Sequence, residues 1–231
     1  MNKLIFLTLF SFSLIVVACT DENDDACSKV ESLGSFSLDA SSRAAIPYQP
    51  TDVKAIFSDS LGQERSLDII LQGDGFITQE FLAVCGSDST SLSPYEWETE
   101  RICYELKDEA NGSFSYQICA EMQYNLLQPQ EKRVADVLNI SSYSSSSILQ
   151  QEGEYGILLA ARNFGGFIDL PGSVELLDQF VWEGRSLEQV YQLETTNNLG
   201  QTRELYYTRA EGLVAFRDYF SDTFYFFDRI E

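Results

Sequence analysis

Carboxylates are the reactive groups this sequence supplies in quantity. Its 231 residues hold 36 aspartates and glutamates against 15 lysines and arginines, and no histidine. Without histidine there is no imidazole general base, no nitrogen ligand of the usual kind for a metal, and no Ser-His-Asp or Cys-His triad. What remains is paired-acid chemistry, as in glycoside hydrolysis, which sets two carboxyl groups ~5–10 Å apart. Trp97 between Glu96 and Glu98, and Trp182 beside Glu183, are the places where an aromatic surface adjoins acids. In so acidic a chain some pair meets that distance by chance, so the expectation is a packed ring with solvated acidic neighbours and no catalysis. Gly86-Ser87 is not part of a G-x-S-x-G elbow, and Gly73-Asp74-Gly75 is too short to cradle a phosphate. Asp21, Asn23 and Asp25 begin a calcium-loop spacing, but Ala26 and Ser32 stand where that loop needs glycine and an acid. No metal and no cofactor is expected.

Cysteine is the other reactive type, and position sorts the five of them. Lys3, the apolar run Leu4–Val17 and the small residue Ala18 lead directly into Cys19. That is the layout of a secretory signal, and the run is short of the ~20 apolar residues a membrane-spanning helix needs. A bacterial lipoprotein peptidase cuts before a cysteine so placed, leaving its thiol to carry diacylglycerol. Residues 1–18 are therefore expected to be a signal peptide, with Cys19 the lipidation site and 19–32 an acidic tether. The other four, Cys27, Cys85, Cys103 and Cys119, form an even set with no C-x-x-C pair, which reads as two disulfides in an exported chain rather than as a zinc site.

The formal charge of −21 becomes one unit more negative once Lys3 is removed. Nucleic acid and anionic headgroups both need basic patches, so neither is an expected partner. The membrane would be touched only through the acyl anchor, leaving a glycan or a protein as partner. A hydrophobic content of 44% and an aromatic content of 13% argue for a folded body rather than disorder.

From about Val30 onward the elements that would position these groups are short strands and turns. Lys54–Phe57 and Ser66–Leu71 flank Asp59–Gly62 as a hairpin, and Gly73–Gly75 reads as another turn. Arg101–Glu121 carries the cleanest signal. With Ala110-Asn111-Gly112 in the loop, every cross-strand pair sums to 222. Ile102, Tyr104, Leu106, Phe114, Tyr116 and Ile118 then share one face, and Cys103, Glu105, Lys107, Ser115, Gln117 and Cys119 the other. This register sets Cys103 opposite Cys119, within disulfide reach, so Cys27 and Cys85 would pair by elimination, although two other connectivities are open. Gln128–Leu138 is the best helical candidate, and the serine run Ser141–Ser147 reads as a loop. From Tyr155 to Ile230 the pattern is a strand meander, closing on the aromatic run Phe224-Tyr-Phe-Phe227, expected to be buried on both faces.

Two resemblances add to this. Thr20-Asp-Glu-Asn-Asp-Asp25, directly after Cys19, resembles the acidic export signal of Bacteroidetes surface lipoproteins. Asp178–Leu193 and Glu204–Asp218, with their glycine turns and closing aromatic hairpin, look like the C-terminal end of many Bacteroidetes lipoproteins. The first implies an outer-membrane, lipid-anchored protein displayed at the cell surface. The second implies membership of such a group and carries no activity.

The sequence thus predicts a mainly β protein: an antiparallel meander sheet, sandwich or half-barrel over 33–231, with at most one short helix and a candidate subdomain break near 141–150. Its expected role is that of a lipid-anchored envelope protein with binding or structural duties. The alternatives are a carboxylate-based glycan hydrolase and an accessory subunit of an envelope transport or assembly complex.

Overall fold

The computed structural model describes residues 30–84, 92–108, 114–124, 134–144, 150–162, 170–182, 184–196, 202–218 and 222–231. Among them are twelve strands and one four-residue helix. In chain order these are β1 (Glu31–Phe36), α1 (Ala40–Arg43), β2 (Lys54–Ser58), β3 (Glu64–Val84), β4 (Leu92–Asp108), β5 (Phe114–Tyr124), β6 (Val134–Ser144) and β7 (Gln150–Arg162). β8 (Ser173–Trp182), β9 (Arg185–Thr196), β10 (Thr202–Thr208), β11 (Gly212–Arg217) and β12 (Phe224–Ile230) complete the chain.

All twelve strands belong to one sheet, ordered β7-β6-β5-β4-β3-β2-β12-β11-β10-β9-β8, with β1 lying parallel against β4. Two antiparallel meanders, β2–β7 and β8–β12, are sewn together where the C-terminal strand pairs with β2, Phe227 opposite Phe57. The two ends of this path curl back until they nearly meet, so the sheet is an almost closed barrel. At the seam the Gly156 N–H donates to the Pro171 carbonyl at 2.9 Å. Side chains are excluded there: a Cβ on Gly172, whose φ is +78°, would come within 2.4 Å of the Glu154 carbonyl oxygen.

Alternation along the strands sends one set of residues inward. Tyr104, Leu106, Phe114, Tyr116, Ile118, Leu138, Ile140, Leu205, Phe216 and Tyr225 all sit in the interior, together with Phe57 and Leu67. Phe57 meets Phe216 edge-on at 5.0 Å between ring centroids, and Tyr116 lies 5.8 Å from the same ring. The segment around α1 plugs this interior, contributing Leu38, Ile46 and Tyr48. Its backbone is satisfied by buried side chains: the Leu38 N–H donates to Glu100 at 3.0 Å, the Asp39 N–H to Asp136 at 2.9 Å, and the Tyr207 hydroxyl to the Ala45 carbonyl at 2.6 Å. Elsewhere the Arg65 guanidinium grips buried Asp108 through two bonds of 2.8 and 2.9 Å.

The hairpins expected at Lys54–Leu71 and Arg101–Glu121 are both present, the second in the expected register, with Arg101 opposite Glu121 and Lys107 opposite Ser115. Three local readings are corrected. Of the helical candidate Gln128–Leu138, residues 128–133 lie outside the described residues and Val134–Leu138 is strand, not helix. All five residues are buried, so the strand is covered on both faces and loses the period of two that would have marked it. Ser141–Ser144 continues that strand instead of forming a loop, Ser142 being small enough to lie beside Tyr155 and Gly153. Gly73–Gly75 is no turn: it lies within β3, where the pairing with β4 slips between Leu71 and Gly73. Ser144 pairs with Gln150, so β6 and β7 are neighbours in one sheet, and residues 145–149 between them lie outside the described residues.

A second cluster packs on the outside of β10–β12. The distal half of the β8–β9 hairpin folds over that face, stacking Phe180 on Tyr206 and Trp182 on Phe224, each at 4.3 Å. Gln189, with φ +53°, sits where β9 leaves the β10 pairing.

Candidate functional site

Cys103 and Cys119 are bonded to each other and stand directly opposite in the register, their Cα atoms 4.1 Å apart. The bond lies on the outward face, as the hairpin pattern predicts, yet both residues are buried. Cys19, Cys27, Cys85 and Glu183 lie outside the described residues.

The two tryptophans are packing residues. Trp97 joins Leu33, Tyr95, Met122 and Val134 in a small cluster of its own, and Trp182 packs on the outer aromatic cluster. Alternation turns Glu96 and Glu98 to the face opposite Trp97, where Glu96 stands across from Glu80 and Glu98 across from Thr78. Glu96, Trp97 and Glu98 border one concavity of about 450 Å³ beside β1, together with Ser32, Ser35 and Thr78, but Trp97 is buried in its own cluster.

The structure also assembles a polar groove across the outer faces of β3–β7, with the disulfide as floor. β4 contributes Arg101, β5 contributes Gln117 and Glu121, and β6 contributes Asn139 and Tyr143. These residues face the same way because their registers align: Arg101 opposes Glu121, Cys119 opposes Asn139, and Gln117 opposes Ser141. At the β3 end the groove opens into a concavity of about 460 Å³, walled by Gly73, Asp74, Gly75 and half-exposed Phe76. A smaller one of about 170 Å³ lies at the β6–β7 end and reaches Glu154. Arg101 and Gln117 line both, which makes them one continuous depression.

The side chains along it hold one another in place. Asn139 Nδ2 donates to Glu121 Oε1 at 2.7 Å, and Glu121 Oε2 lies 3.3 Å from Arg101 Nε. Arg101 Nη2 reaches the Cys119 sulfur at 3.4 Å, and the Tyr143 hydroxyl donates to Gln117 Oε1 at 3.4 Å. Gln72 Nε2 donates to Glu105 at 2.7 Å on the β3 rim. The carboxylate fixes the orientation of the Asn139 amide, because only its nitrogen can donate. Asn139 Oδ1 is left as a buried acceptor with no donor among the described residues.

Burial pushes the Tyr48, Tyr116 and Tyr207 phenols well above the ordinary tyrosine value, so inside the barrel they act as neutral hydrogen-bonding groups. Among the described residues no group of three or more cysteines and acids is placed to hold a metal ion. The polar face of β4 and β5 was readable from period-two alternation. Asn139 and Tyr143 were missed because β6 lacks that alternation, and Gly73 because a strand bulge and a turn use the same residue types. Comparison with protein-family models, with curated proteins and with solved structures finds no match to this chain.

Proposed function

We propose that this protein is an outer-membrane lipoprotein, acylated at Cys19 and held off the bilayer by its acidic tether, whose folded body is a binding module rather than a catalyst. The observation carrying this reading is the contrast between the two faces of the sheet. The inner face is occupied by interlocked aromatic rings, whereas the outer face of β3–β7 is a depression whose polar side chains are held in place before any ligand arrives. Such preorganisation reduces the ordering cost of binding. Both oxygens of Glu121 are engaged, by Asn139 and by Arg101, which suits a positioning role better than proton transfer.

Photo-crosslinking in intact cells tests the reading. A benzophenone side chain at Gln117 or Tyr143 should give a covalent adduct, while the same probe at Leu61, 80% exposed on the β2–β3 turn, should not. In the same cells Cys19→Ala should abolish acyl labelling and membrane retention. No adduct from the groove, or equal adducts from all three positions, would overturn the binding reading. Retention of unacylated protein would overturn the anchor.

A further inference from the structure

We propose that the distal half of β3 docks an extended, cationic segment of a partner protein, which adds to the sheet as a further strand along an open edge. The side chains that would meet this segment face away from the groove, so the inference goes beyond the groove reading and does not depend on it.

β3 runs for 21 residues, but β2 pairs only with its residues 64–68, and the Ile69 N–H closes that pairing on the Val53 carbonyl at 2.8 Å. Beyond this point no strand among the described residues pairs with the β2 side of β3. The register tells which groups are left open. In an antiparallel pair, residues that bond to the partner strand alternate with residues whose N–H and C=O point away from it. Ile69 points away from β4, and it stands opposite Leu106. The slip between Leu71 and Gly73 adds a residue to β3 alone, so the alternation can be counted in twos along β4 from Leu106 to Pro94. The partners reached past the slip are Asp74, Phe76, Thr78, Glu80 and Leu82. All five are exposed. They present their N–H and C=O groups along ~27 Å of edge, a template for another strand. Residues 75–84 hold no lysine and no proline, the residues that commonly blunt such an edge.

The occupant is set by the side chains of the same five residues, which share the face of Ile102 and Glu100. Phe76 and Leu82 are 53% and 63% exposed. Glu80 lies between them, with Glu96 opposite it and Glu98 opposite Thr78. Thr78, Glu96 and Glu98 border the concavity beside β1. Residues 31–36, 74–84 and 92–99 contain acids but no lysine or arginine. A strand laid on the edge brings every second side chain within ~4.5–5.5 Å of this row. Apolar residues opposite Phe76 and Leu82, with Lys or Arg opposite Glu80, match it; the main-chain bonds supply affinity and the alternate side chains specificity. A second copy of this edge would bring its own Asp74 and Glu80 to the same face, like charge against like.

The test begins with a phage-displayed library of random peptides selected on the immobilised mature protein. The consensus peptide is then titrated against wild type, Thr78→Pro and Glu80→Lys. Proline is accepted on a sheet edge, but it removes the donor there and blocks an approaching strand. The selected peptides should alternate Lys or Arg with apolar residues. Thr78→Pro should lose about tenfold or more in affinity with its melting temperature kept, and Glu80→Lys should lose severalfold. In amide exchange followed by NMR, the peptide should slow Asp74, Phe76, Thr78, Glu80 and Leu82 and leave Ile77 and Gln79, which bond to β4, unchanged. If Thr78→Pro does not fold, Glu80→Lys and the exchange pattern decide. An acidic or uncharged consensus, or binding that leaves those five amides exchanging as before, would overturn the proposal. So would a dimer in sedimentation that Thr78→Pro abolishes, because it would put a second copy on the edge. Selection of no peptide would defeat it.

Discussion

At the residue scale, the disulfide shows how far local pattern can reach. The register of the β4–β5 hairpin follows from alternation alone, because a slip of one residue would turn Tyr104, Leu106, Tyr116 and Ile118 out of the core. Once that register is set, Cys103 and Cys119 have no choice but to meet. The bond closes a loop with a sequence separation of 16, for which chain entropy gives about 3 kcal/mol of stabilisation. The double variant Cys103→Ala/Cys119→Ala should therefore unfold in urea with about that much less stability. Groove affinity should fall with it, since Cys119 supports the Arg101 guanidinium. A loss well under ~1 kcal/mol would show that the unfolded chain is not constrained by this link. Gly73 marks the opposite limit: its glycine was visible in the sequence, but only the neighbours of its absent side chain separate a turn from an open groove wall.

At the element scale, hairpins between neighbours in the chain were legible and strands covered on both sides were not. β6 is the clearest instance. Val134 packs into the small Trp97 cluster and Leu138 into the barrel interior, and Val137 is also buried, so its apolar residues imitate a helical stripe. The β8–β9 hairpin was legible as a hairpin, but its folding over β10–β12 depends on contacts distant in sequence. Gln189 is the hinge of that fold, held at a φ of +53° that costs a side-chain-bearing residue ~1–2 kcal/mol. Gln189→Gly should leave stability unchanged or raise it slightly, whereas a β-branched Gln189→Val should lower it by about 1–2 kcal/mol in thermal or urea denaturation. Equal effects of the two would show that the left-handed conformation is not what bends the strand. Because the hinge lies on the meander remote from the groove, crosslinking from Tyr143 should be the same in both variants.

At the scale of the whole molecule, the antiparallel β class was legible and the closure was not. Nothing local announces that β12 pairs with β2 or that Gly156 meets Pro171, because these contacts join segments more than a hundred residues apart or lie across the seam of a curled sheet. Closure buries the phenols of Tyr48, Tyr116 and Tyr207, and burial raises their ionisation above the ordinary tyrosine value near pH 10. A phenol whose folded value is raised contributes stability that is fully present below its unfolded value. That contribution is lost as the pH climbs beyond it, because the unfolded chain releases its protons first. As far as these phenols are concerned, the denaturation midpoint should hold steady between about pH 8 and about pH 9.5, then fall steeply beyond about pH 10. A midpoint unchanged to about pH 11 would mean that the phenols are reached by solvent.

The central claim, a ligand seated in the outer groove of an otherwise filled barrel, comes down to one comparison. Benzophenone side chains at Gln117 and Tyr143 in the groove, and at Leu61 on the β2–β3 turn, should be irradiated in intact cells holding equal amounts of each variant. A ligand in the groove predicts a covalent adduct from Gln117 and Tyr143 and none from Leu61. No adduct from the groove, or equal adducts from all three positions, would contradict it.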